Sequence, residues 1–262
     1  MIINNWSQVI AKTREMVRGV MSQYDGSHDF HHVERVVKMA KFIAHKELAL
    51  PTSDVSTLSP SILEKLQVIE LAAYLHDVND HKYVQPNQHG QNKAQRAIEE
   101  HLSQLLVPEN IIDRVQYVVD NISFSKEVKR MQENKEYVDE LPIELKIVQD
   151  SDRLDALGAI GAARCLVFSG SKQRAIYIPE DEKFVSSCTT PSDMFQQKLE
   201  MNPMPTVSAT DDSAIQHFYD KLFHLDRMMK TNTGKELAKK RIQHMKTFIE
   251  DLYEELYFEE NL

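Results

Sequence analysis

Cysteine is nearly absent: Cys165 and Cys188 are the only two in 262 residues. That excludes a disulfide scaffold and a zinc site of four thiolates, and it points to reduced thiols in a cytoplasmic setting. Glycine is scarce too, at seven residues, and long stretches lack both glycine and proline. Few tight turns can form, so long helices are expected rather than many short strands. The longest apolar runs, such as Leu71 to Leu75, reach about five residues, so no segment is expected to span a bilayer. The opening MIINNWSQVIAKTREMV has neither the apolar core nor the cleavage site of a signal peptide. Positive charge is in deficit, with 31 Lys and Arg against 40 Asp and Glu, a net charge of −9. Binding to a nucleic-acid polymer through counterion release is therefore not expected. Hydrophobic residues at 42% and charged residues at 27% describe a globular chain, not a disordered one.

Helical periodicity runs through most of what is present. Val33, Val36, Val37, Ala40 and Ala44 mark one helical face, with Asp29 as its N-cap. Further helices are expected over Ser61 to Asp77, Asn92 to Leu106, Ile111 to Ser123 and, as one long apolar element, Leu145 to Phe168. Composition then changes. Four of the nine prolines fall between Ser171 and Ser213, among many Ser, Thr and Asp. This stretch is expected to be a loop-rich, mobile excursion. Helix resumes over Ala214 to Met229, and a turn at Asn232 to Gly234 leads into a last helix, Lys235 to Tyr257. Its inward stripe is expected to be Ala238, Ile242, Met245, Ile249, Leu252 and Leu256. No linker separates two cores, so the expectation is one all-α helical domain over 1–262 with an insertion at about 171–213.

Four residues in three segments carry a metal-binding pattern. His32 lies in HDFHHVERV, His76 and Asp77 are adjacent in LAAYLHDVND, and Asp152 lies in IVQDSDRLDALGAIG. Two imidazoles and two carboxylates make a complete protein ligand set for one divalent cation, with positions left for water or substrate. Each sits beside a strongly apolar helix, where a charge is costly unless paired or coordinated.

The order H…HD…D, with the first His in HxxRV and the last Asp in DRLDALGAIGAAR, resembles the HD-domain metal-dependent phosphohydrolase superfamily. The resemblance is closest to its YpgQ/YedJ-like bacterial subgroup. It covers nearly the whole chain, through HDFHHVERV, LHDVNDHKY, the ISFS at Ile122 to Ser125, QDSDRLDALGAIGAAR and HFYDKL…MKTNTGKELAKKR, in that order. It implies an all-helical bundle that hydrolyses phosphoesters, often of nucleotides. It makes His32, His76, Asp77 and Asp152 the ligands of one Mn, Mg, Co, Ni or Fe ion. His28 and Asp29 also spell the pair, but they precede a helix and Asp29 reads as a cap. His31 points about 100° away from His32 around a helix. His81, His89 and His101 do not fit the pattern of two-metal relatives.

The same resemblance implies roles for the neighbours. Asp80, three residues beyond Asp77, takes the position of an acidic residue that acts on the attacking water. Lys82 is a candidate phosphate contact. Arg35 shares the helical face of His32 and either binds phosphate or orients Asp77 or Asp152 by an ion pair. Arg153 and Asp155 follow the last ligand; Asp155 either shapes the substrate pocket or braces a helix. The expected partner is a small phosphorylated molecule, most naturally a nucleotide, and a second copy of the chain is left open. Two other functions share the pattern. One is a nucleotide-binding sensor without turnover; the other is a di-iron oxygenase, which needs ligands beyond these four.

Overall fold

The computed structural model describes residues 5–22, 26, 29–51, 58–78, 90–133, 140–180, 182–205 and 213–258. Among them the chain is all-α, with twelve α-helices and one 3₁₀ helix; the sole β feature is an isolated bridge between Ala175 and Ser213. No single helix among these residues is long and apolar enough to cross a membrane. The chain divides into two compact units, Met1–Asp152 with Lys230–Gly234, and Arg153–Met229 with Lys235–Leu262.

The first unit holds α1 (Trp6–Met21), α2 (Phe30–Glu47), α3 (Pro60–Leu75), α4 (Gly90–Gln104), α5 (Glu109–Asn121), α6 (Phe124–Glu133) and most of α7 (Ile143–Asp155). Its centre is α3, which packs on α1, α2 and α5. Nine consecutive residues, Gln67 to Leu75, are buried there, because a helix apolar on all sides has no face to offer water. Ser59 caps α3 by accepting from the Ile62 N–H, and Pro60 occupies its first turn, where no N–H is needed. Asp29 caps α2 as expected, its carboxylate accepting from the His32 N–H at 3.0 Å. That cap fixes the first turn, and with it the direction of His32.

The second unit holds α8 (Gly158–Ser171), α9 (Glu182–Ser187), α10 (Pro191–Met201), α11 (Ala214–Asp220), the 3₁₀ helix Leu222–Met228 and most of α12 (Asn232–Tyr257). Its core is aromatic. Phe195 meets Phe223 edge to face at 5.0 Å, and the buried Tyr253 hydroxyl donates to that of Tyr219 at 3.1 Å. Along α12, Ala238, Met245 and Ile249 are buried as expected, with Tyr253 added. Ile242, Leu252 and Leu256 are half-buried.

Two expectations are corrected. The apolar run Leu145 to Phe168 is not one helix: α7 ends at Asp155 and α8 begins at Gly158. Gly158 makes the break, with φ +74°, a left-handed conformation that favours glycine. Gly161 permits the tight return, since a Cβ there would lie 2.2 Å from the carbonyl carbon and oxygen of Ala156. The excursion holds two short helices, α9 and α10, between irregular stretches where described. Thr190 accepts from the Asp193 N–H at 3.1 Å, Asp193 accepts in return from the Thr189 N–H, and Pro191 starts α10. Counted in the sequence only toward composition, that proline starts a helix. The Ala214 and Ile215 N–H groups donate to the carbonyls of Ala175 and Ile176, tying the far end of the excursion to its beginning. Lastly, Ala214 to Met229 is a short α-helix followed by a 3₁₀ helix rather than one element.

Gly161→Ala is expected to destabilise the chain by about 2–3 kcal/mol, because the obstructing atoms are backbone and cannot swing aside. On thermal denaturation the midpoint should fall by roughly 4–10 °C. A midpoint equal to that of the parent chain would mean that the turn has room to spare.

Candidate metal centre

His32 stands in the first turn of α2, His76 and Asp77 directly follow the last residue of α3, and Asp152 lies near the end of α7. The fold brings all four to one focus within the first unit. His32 Nε2 and His76 Nε2 are 3.1 Å apart. Asp77 Oδ2 lies 3.3 Å from the first and 3.4 Å from the second. Asp152 Oδ1 lies 3.5 Å and 3.7 Å from the same two atoms. Both imidazoles are fully buried as side chains, while those of Asp77 and Asp152 are 17% and 35% exposed. The rings form a dry floor, and the site opens on its carboxylate side.

The imidazoles are aimed. His76 Nδ1 donates to the carbonyl of Ala73 at 2.8 Å, which leaves the Nε2 lone pair of the neutral ring pointing at the focus. The rings of His32 and His76 meet edge to face at 72°, so their Nε2 atoms converge instead of stacking apart. Two acceptor nitrogens 3.1 Å apart repel unless a proton or cation lies between them. Burial alone would lower the proton affinity of His76, but the carboxylates of Asp77 and Asp152 outweigh it and push it up to about 9. Burial likewise raises Asp77, and the two imidazoles more than reverse this, holding it well below the usual carboxylate range. The cluster thus favours positive charge at its centre.

A divalent ion fits that demand. Adjacent donors on an octahedron with bonds of about 2.1 Å are about 3.0 Å apart. His32, His76 and Asp77 form a candidate metal site with spacings of 3.1 to 3.4 Å, close to that shell, and Asp152 Oδ1 stands somewhat farther out, 3.5 and 3.7 Å from the two imidazoles. Imidazole with carboxylate is the donor set of borderline and hard divalent ions, not of thiophilic ones.

The raised proton affinity of His76 has a sign that can be tested in metal-free protein. A folded-state value of about 9 against an ordinary 6.5 contributes stability that is fully present below 6.5 and lost as pH rises through about 9. The thermal midpoint of EDTA-treated protein is therefore expected to fall between pH 6.5 and 9. Saturating Mn²⁺ should flatten that slope, because the ion replaces the proton. A midpoint that climbs over this window without metal would contradict the assignment.

The other expected residues are dispersed. Arg35 is half-buried one turn after His32 and lines a shallow concavity with His31, Glu34, Val37, Lys38 and Lys41. His31 itself is exposed and outside the four-donor focus. Arg153 is buried and donates to the carbonyl of Met228 at 3.1 Å. Asp155 pairs with Arg164 at 3.0 Å, which matches the helix-bracing alternative. His101 Nε2 lies 3.1 Å from the buried Thr13 hydroxyl, joining α4 to α1. Asp80, Lys82, His28, His81 and His89 lie outside the described residues.

Sequence reading overlooked the polar layer next to the site. Asp150, wholly buried, accepts from the Lys230 N–H at 3.0 Å and from the Thr231 N–H and hydroxyl at 2.7 Å each. Glu47 accepts from the Thr233 N–H at 2.8 Å and from its hydroxyl at 2.6 Å. A Cβ on Gly234 would lie 2.4 Å from Asp150 Oδ2, so the backbone passes where no side chain fits. The available signal was the cluster of Thr, Asn and Gly in KTNTG, which reads as a turn until the two carboxylates that receive it are known.

The HD domain family matches residues 29–157, from the cap of α2 to just past Asp152. Residues 29–157 are an HD domain. The matched span contains His32, His76, Asp77 and Asp152. The chain is 29% identical over 246 residues to YpgQ of Bacillus subtilis, covering 93% of this chain and 91% of that one. The solved structure of B. subtilis YpgQ in complex with ADP superposes with a TM-score of 0.61 at 26% identity, over 95% of this chain and 96% of that one. An HD-superfamily hydrolase from Bacillus thuringiensis superposes with a TM-score of 0.61 at 28% identity, over 97% of this chain and all of that one.

Proposed function

We propose that this HD-domain chain is a phosphohydrolase that uses one divalent metal ion, Mn, Mg, Co, Ni or Fe, to cleave a phosphoester or phosphoanhydride bond of a nucleotide. The observation that carries the reading is the convergence of His32, His76, Asp77 and Asp152 on one focus, with spacings of 3.1 to 3.7 Å. Such an ion polarises a phosphoryl oxygen and brings a bound water's pKa toward neutrality. The chain's own groups do the rest. The two carboxylates leave the open side of the site to water and substrate. Arg35, on the helix that carries His32, and Lys82 hold the charge that grows on the phosphoryl oxygens. Asp80 takes the proton of the attacking water. Support for a nucleotide comes from the ADP complex of YpgQ.

The direct test is a panel of nucleoside mono-, di- and triphosphates with Mn²⁺ or Mg²⁺, read as phosphate or pyrophosphate release. Metal-dependent release from at least one nucleotide is expected. Tight nucleotide binding with no release would favour a sensor, and two irons per chain would favour an oxygenase. The role of Asp80 separates chemistry from metal binding. Asp80→Asn is expected to keep the metal and the substrate while kcat falls by about 10²-fold or more. Loss of the metal in that variant would make Asp80 a ligand, and an unchanged kcat would remove it from the reaction.

A further inference from the structure

We infer that Gln149 is a positioning residue for the metal ligand Asp152, a role that rests on the metal reading above. Gln149 lies three residues before Asp152 on α7, so both side chains leave the same side of the helix. Its Nε2 donates to the carbonyl of Asn121, the last residue of α5, at 2.8 Å and to Glu127 Oε2 of α6 at 3.4 Å. Both partners are pure acceptors, which fixes the orientation of the amide. Glu127 is itself held by the Lys230 ammonium at 2.7 Å, and that ammonium's side chain is 2% exposed. Asp150, the next residue on α7, grips the backbone N–H of the same Lys230. Two successive residues of α7 are thus anchored just before the ligand, one through each face of Lys230.

Rotation is what this anchoring prevents. A turn of about 20° about the α7 axis would carry a carboxylate about 6 Å from that axis through about 2 Å, ten times the tolerance of about 0.2 Å in a metal–ligand distance. Packing alone does not explain the glutamine. It is 2% exposed, and its Oε1 has no donor among the described residues, a buried acceptor left unsatisfied. An apolar side chain of the same volume would fill the space without that penalty. The amide N–H is what such a substitute lacks.

The test compares wild type with Gln149→Met and Gln149→Leu by calorimetric Mn²⁺ titration and by thermal denaturation in EDTA. Both variants are expected to melt within about 2 °C of wild type or above it, because the orphaned acceptor is gone. Their Mn²⁺ Kd should nevertheless rise about 10–100-fold, with turnover recovering at saturating Mn²⁺. A merely structural residue would lower the midpoint and leave the Kd of the folded protein alone. If wild type binds Mn²⁺ and both variants match its Kd within about twofold, the positioning role is overturned and the metal reading stands. If both variants are unfolded in EDTA, the residue is structural and the role is likewise overturned. If wild type binds no Mn²⁺, the metal reading fails and takes the inference with it.

Discussion

Asp77→Ala is expected to remove the bound divalent ion and to lower hydrolytic turnover by about 10³-fold or more. Asp77 is the carboxylate nearest both imidazoles, with Oδ2 at 3.3 and 3.4 Å from their Nε2 atoms. Without it, two buried nitrogens 3.1 Å apart keep only the more distant Asp152, and the charge balance that favours a cation is halved. Alanine occupies no more space than Asp77 did at the end of α3, so the fold should persist. Elemental analysis after dialysis, alongside nucleotide hydrolysis, reads both effects. Full metal occupancy in the variant would remove Asp77 from the ligand set.

The second large effect concerns stability. Asp150→Ala is expected to cost about 3–5 kcal/mol, read as a shift in urea midpoint at constant m. The carboxylate is wholly buried and receives two backbone N–H groups and one hydroxyl. Burial raises its pKa, and the bonds from Thr231 and Lys230 offset part of that rise, so the group sits in a poorly solvated place that its donors only partly repair. Truncation strands all three donors in the protein interior. Gly234 packs against the same carboxylate, so the missing volume adds a cavity to the missing bonds. A change below about 1 kcal/mol would show that water replaces the carboxylate.

The candidate ligands were legible in the sequence because they interrupt apolar helices. His76 and Asp77 end the most hydrophobic stretch of the first unit, Val68 to Leu75, and Asp152 ends a helix that carries Leu145, Ile147 and Val148. Polar groups in such places must have partners, and three separate segments supplied complementary ones. The cap at Asp29 was legible for a similar reason, since its carboxylate satisfies a local N–H. Contacts between distant segments were not legible. The break between α7 and α8 depends on how Gly161 closes on Ala156, although Gly158 was in plain view. Pro191 reads equally as a loop residue or a first-turn residue until Thr190 is seen to cap α10. Tyr253 escaped the predicted stripe of α12 because its hydroxyl argues for the surface; only the buried hydroxyl of Tyr219 makes its burial tolerable. Asp150 was hidden between Gln149 and Asp152, because the Lys230 and Thr231 groups that it receives lie far along the chain.

The central claim is that four side chains hold one divalent ion at the focus of the HD domain. An anomalous-difference map from crystals soaked in Mn²⁺ tests it most directly. The account predicts a single strong peak bonded to His32 Nε2, His76 Nε2 and one oxygen each of Asp77 and Asp152, at about 2.0–2.3 Å. A peak that lacked Asp152, two peaks of equal height, or no peak at this focus would contradict it.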